Sequence, residues 1–101
     1  MANEEPKVLC QTPTPGKAPT HIPTWKYDLI RTAILSVLPV SDQGIAFKKL
    51  PHLVERQLSP EEKHGLGSVA WHTTTVKLNL EVKGEIERIP DITPQHLRKV
   101  S

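Results

Sequence analysis

Between Ser68 and Lys99 the chain gathers hydroxyl, imidazole and basic side chains of the kinds that recognise duplex DNA. Ser68, His72 and Thr75 lie early in a helix-length segment, and hydroxyls and imidazole can donate or accept at the edges of base pairs. Lys77 is placed to reach phosphate from the same helix. Arg88, Arg98 and Lys99 follow at positions suited to the sugar-phosphate backbone or the minor groove, and Lys48, Lys49 and Arg56 add charge from an earlier helix. Against this, the segment holds no arginine or glutamine and one asparagine, Asn79, whereas two-point readout of guanine or adenine draws on those types. Glu81, Glu85 and Glu87 would repel phosphate wherever they faced it. An ordinary solvated surface is the competing reading of the same residues.

A second constellation is apolar. Trp71, Leu78 and Val82 fall on the face of that helix opposite Val69, Val76 and Leu80, and a domain this small leaves them in want of cover. Aromatic anchors are favoured at interfaces, so these three are the candidate interface residues for a homodimer or another protein. Trp71 as a core residue is the plainer alternative.

Enzymatic chemistry finds less support. Gly65-Leu66-Gly67-Ser68-Val69-Ala70 matches G-x-G-x-x-A, with Glu87 twenty residues past Gly67. The preceding Ser59-Pro60-Glu61-Glu62-Lys63-His64 is charged where a dinucleotide fold needs a buried strand, and the chain has no room for the full unit. His21, His52, His64, His72 and His96 are scattered, and none pairs as H-x-x-x-H or joins a nearby cysteine. Glu61 and Glu62 beside His64 imitate an acid-base pair, yet no nucleophile or oxyanion site accompanies them. Cys10, the single cysteine, can close no internal disulfide and supply no multi-thiolate site. The expectation is no catalytic residue, no cofactor and no metal.

At 101 residues the chain has the length of one modest domain. Its 37% hydrophobic and 24% charged residues suit a soluble globular protein, and no apolar run approaches the roughly 20 residues that span a bilayer. A start of Met1-Ala2-Asn3-Glu4-Glu5-Pro6 lacks the basic and apolar regions of a secretory signal, so a reduced, cytoplasmic setting is expected. A net charge of +2 tolerates phosphate contacts without demanding them.

These residues need elements to hold them. Residues 1–23, with Pro6, Pro13, Pro15, Pro19 and Pro23, read as a proline-rich arm whose apolar pair Val8-Leu9 suits either a mobile tail or a short docked strand. Ile30, Ala33, Ile34 and Val37 then recur at i, i+3, i+4 and i+7, a first helix with Thr24 as N-cap and Pro39 ending it. Ile45-Ala46-Phe47 suits a very short strand, and Lys48 to Gln57 a second helix with a poor N-cap. Ser59-Pro60-Glu61-Glu62 forms a capping box that starts a helical turn.

Ser68 to Lys83 is ambiguous. Val76, Leu78, Leu80 and Val82 alternate as in a strand, but the length and Gly84 after Lys83 favour a third helix. Ile86 and Ile89, a bend through Pro90-Asp91-Ile92-Thr93-Pro94, and Leu97 and Val100 make a two-stranded wing.

Lys26-Tyr27-Asp28-Leu29-Ile30-Arg31, Ala33-Ile34-Leu35 and the run from Val76 to Arg88 resemble a family of small, functionally uncharacterised bacterial proteins regarded as winged-helix-like. The similarity covers about residues 8 to 100. Gly84-Glu85-Ile86-Glu87-Arg88 also looks like the helix-to-wing junction of many bacterial winged-helix regulators. The resemblance supports the helical reading of residues 68 to 83 and carries no activity or catalytic residue. The expected architecture is α+β, mainly α: a winged helix-turn-helix of three helices and a small antiparallel wing over residues 24–101, behind an arm over 1–23. The leading functional expectation is a non-enzymatic DNA-binding, regulator-like module, and the alternative is a protein-interaction or dimerisation module.

Overall fold

The computed structural model describes residues 6–14 and 16–100. Among these residues it is an α+β fold with four α-helices and two small antiparallel sheets, one helix more than the sequence suggests. The extra helix is the turn begun by the capping box. Ser59 Oγ accepts from Glu62 N at 3.0 Å and Glu62 Oε1 accepts from Ser59 N at 2.8 Å, satisfying two end groups that a short helix otherwise leaves unpaired. With Pro60 fixed in the first turn, these bonds carry the segment through a full helix, α3 (Pro60–Leu66).

In chain order, strands β1 (Lys7–Cys10) and β2 (Thr20–Pro23) pair antiparallel, with Val8 opposite Ile22. Cys10 and Ile22 are buried in the main core, so this hairpin packs on the helices that follow. Helix α1 (Thr24–Val37) starts directly from β2. Pro23 takes the N-cap position and no side chain caps the helix, where the sequence suggested Thr24. After β3 (Ile45–Ala46), Phe47–Lys49 forms a single 3-10 turn that leads into α2 (Leu50–Glu55). This segment is tighter and shorter than the helix expected over 48–57, consistent with its missing side-chain cap and with Pro51 in its first turn.

Helix α4 (Val69–Lys83) is capped at both ends by residues that the sequence supplies for the purpose. Ser68 Oγ accepts from Trp71 N at 3.0 Å, and Gly84 at φ 77° takes the left-handed position that closes the last turn. Strands β4 (Ile86–Arg88) and β5 (His96–Lys99) follow, with Ile89 and Val100 just outside them, and β5 lies between β3 and β4.

The core forms where α1, α2 and α4 meet the sheet. Ile30 and Ile34 come from α1, Leu50 and Val54 from α2, Val76 and Leu80 from α4, and Ile86 and Leu97 from the strands. Among the described residues no helix is long and apolar enough to cross a membrane.

Candidate functional site

The two faces of α4 have different jobs. Val76, Leu80 and Thr73 are fully buried against α1 and α2, and two polar side chains of the helix are buried with them. Asn79 donates from Nδ2 to Tyr27 Oη at 2.8 Å and accepts the backbone N–H of Gln11 at Oδ1 at 2.9 Å. It therefore ties α4 to α1 and to the segment after β1, and offers nothing to a groove. Its position next to the Val76–Leu80 face was the available signal for that role.

Lys77 is a correction to the sequence reading. Expected to reach phosphate, it is 2% exposed, with Nζ 2.5 Å from Glu81 Oε2 and 4.6 Å from the centre of the Phe47 ring. One turn of helix places Glu81 beside it, and Phe47 in the 3-10 turn closes over the ammonium, so burial beside its own counter-ion displaces the expected solvent exposure. Burial also lowers the Lys77 pKa from the ordinary lysine range, and the adjacent Glu81 opposes that shift. Glu81 Oε1 accepts in turn from Arg88 Nε at 2.6 Å, joining α4 to β4.

His72 is likewise inside, 8% exposed, its Nδ1 2.7 Å from the Ser68 carbonyl oxygen, which places it in the first turn of α4 and away from a base edge. Ser68 is exposed, but its hydroxyl is engaged as the cap. Thr75 is half-buried against the segment after β1. On β4 and β5, Arg98 binds Glu87 at 2.6 Å and Asp42 at 3.3 Å, and Arg88 binds Glu81, so both arginines face carboxylates of their own chain. Lys99 is half-buried, and its backbone N–H donates to Pro39 at 2.8 Å. Of the expected DNA-contacting set, Lys77 and His72 are thus buried, while Ser68, Arg88 and Arg98 are engaged by partners within the chain.

What it does bring together is apolar. Trp71 is 47% exposed and Val82 42% exposed, with half-buried Leu78 between them on the outward side of α4, so Trp71 is no core residue. Thr74 and Thr75 complete that side, which carries no lysine, arginine or histidine. Gln11, Thr12, Lys17 and Thr20 wall one flank, facing Thr75 and Leu78. Sequence reasoning missed a second aromatic feature, a groove of about 620 Å³ lined by Trp25, Leu29, Leu58, Asp28 and Glu62 between α1 and the start of α3. The signal was Trp25 itself, one residue into a helix whose periodic stripe does not include it.

Cys10 is buried, and burial pushes its thiol pKa up, with the positive charge of Lys83 working against the shift. As pH rises past the ordinary cysteine range, about 8.5, the unfolded chain loses its thiol proton before the folded chain does. The folded state then holds more protons, and stability falls with pH until the raised pKa is passed. The depressed Lys77 acts in the opposite direction in the wild type and in a Cys10→Ala variant alike, and cancels in their comparison. Chemical denaturation from about pH 7.5 to 10 should show a steeper loss for wild type than for Cys10→Ala. Parallel curves would remove the thiol from the account.

Fold and surface together define a small α+β protein with an uncharged apolar stripe along its longest helix. The chain belongs to a family of unknown function, DUF6958, whose model matches residues 7–97. Comparison with curated proteins and comparison with solved structures both gave no match.

Proposed function

We propose that this chain is a winged-helix module that works by holding another protein, acting by binding alone. The winged-helix reading is supported by the order of elements from α1 onward, helix, short strand, helices, long helix and two strands, and by the sheet order β3-β5-β4, which sets the last strand between β3 and β4. The single observation that carries the functional part is the outward side of α4. A helix that reads a major groove presents donors and positive charge there. This one presents Trp71, Thr74, Thr75, Leu78 and Val82, while the arginines of the wing are neutralised by Glu81, Glu87 and Asp42. A cytoplasmic setting belongs to the same proposal and agrees with a buried, unpaired thiol at Cys10.

DNA binding is the second reading, favoured by one observation. Lys48, Lys49 and Arg56 are exposed around α2 and enter no ion pair among the described residues. Fluorescence anisotropy on labelled duplex DNA separates the two readings. The interaction reading expects affinity no tighter than the non-specific range, about 10⁻⁴ to 10⁻⁶ M, at physiological salt. Tighter binding that weakens steeply with salt, and is lost when Lys48, Lys49 and Arg56 become alanine, would replace it with the DNA reading.

A further inference from the structure

On the outward side of α4, Trp71, Thr75, Leu78 and Val82 succeed one another at spacings of four, three and four residues. That is the seam of a two-helix coiled coil over one and a half heptads, with β-branched Thr75 and Val82 alternating with Trp71 and Leu78. It lies on an otherwise finished domain, because the same helix buries Val76 and Leu80 on its other side. We infer that the partner held by this face is a second copy of the chain, its α4 packed antiparallel on the first, an inference that rests on the interaction reading above.

Three features favour a like helix. The four seam side chains carry no charge, with Lys17 bordering them at Leu78 and Val82, so two copies bring the seams together without burying an unpaired ion between them. Antiparallel packing about a twofold axis between positions 76 and 77 sets Trp71 across from Val82 and Thr75 across from Leu78. Each layer then combines one large and one smaller side chain, as interdigitated cores do. The open flank is formed by Ala70 and Thr74, small residues that allow two backbones to approach closely.

The contact is limited in area. A 15-residue helix is roughly 22 Å long. Four seam side chains fall short of the ~800 Å² per partner of a standard interface, so a weak dimer is expected, with a dissociation constant on the order of 10 µM.

Sedimentation equilibrium of the full chain, from about 1 to 500 µM, should show a monomer–dimer transition within that range. Leu78→Glu and, at a more exposed position, Val82→Glu should each weaken the dimer about 100-fold or more, with thermal unfolding confirming that the fold persists. Thr75→Glu and Leu78→Lys, each monomeric alone, should form a 1:1 complex when mixed, because only the antiparallel register places position 75 of one copy against position 78 of the other.

A wild type that stays monomeric throughout overturns the inference. So does a dimer indifferent to both glutamate variants, and a mixture that stays monomeric overturns the antiparallel register. The DNA titration is read separately: a monomer that ignores DNA leaves the interaction reading with a different protein partner, and a monomer that binds DNA tightly removes both.

Discussion

Replacing Glu81 with leucine is expected to destabilise the protein by about 3–5 kcal/mol, the range for removing one partner from a buried ion pair. Lys77, only 2% exposed, is then left inside the domain with the Phe47 ring as its remaining neighbour for the charge, and a ring face recovers only part of what a carboxylate provides. The reverse single change, Lys77→Met, should cost less, because Arg88 still holds Glu81 at 2.6 Å and sits partly in water. The double variant Lys77→Met, Glu81→Leu should return to near wild-type stability or exceed it, since apolar residues of similar volume fill the site without desolvating two ions. Urea unfolding of the four proteins gives the coupling energy directly. A loss below about 1 kcal/mol for Glu81→Leu would mean that Lys77 reaches water in solution, and the interior placement of its ammonium would have to be abandoned.

The same pair explains why the charge map was harder to read from the sequence than the helix that carries it. Ser68 and Gly84 mark the ends of α4 by local chemistry alone, and both act in the structure as those residue types require. The alternation of Val76, Leu78, Leu80 and Val82, which imitates a strand, has a simple origin. Val76 and Leu80 face the core, while Leu78 and Val82 face outward, so two apolar helical faces overlap in sequence as a period of two. What no local rule supplies is which polar residue of such a helix goes inside. Lys77 and Asn79 flank the buried Val76–Leu80 stripe on either side, and their burial depends on Phe47, Tyr27 and Gln11, all distant in the chain. The arginines of β4 and β5 follow the same logic. Arg98 and Glu87 face each other across β4 and β5, and that pairing exists only once the register is set. The capping box at Ser59 was fully legible, yet its consequence, a complete helix α3, follows from what packs around it as well as from the cap.

The second large effect is expected at Gly44, where Gly44→Ala should cost on the order of 3 kcal/mol or more. Two penalties add at this position. The backbone there has φ +58°, a left-handed conformation that costs a residue with a Cβ about 1–2 kcal/mol. A Cβ at Gly44 would lie 2.2 Å from the Leu97 carbonyl oxygen and 2.6 Å from Ile89 Cδ1, and the first of these is backbone in the central strand of the sheet. Relief requires β3 to move from β5, where Ile45 pairs with Leu97 and Ala46 with His96, and Leu97 is itself wholly buried. Gly84→Ala is the matched control. Its φ of +77° carries a comparable backbone cost, but nothing lies within 4 Å of the added Cβ, so the expected loss is about 1 kcal/mol. For a domain of this size each kcal/mol lowers the melting temperature by roughly 4–8 °C, so the two variants should separate clearly in thermal unfolding. Equal losses would show that the close approach of Gly44 to β5 is not a constraint in solution, and that the β3–β5 pairing contributes little to holding the sheet on the helices.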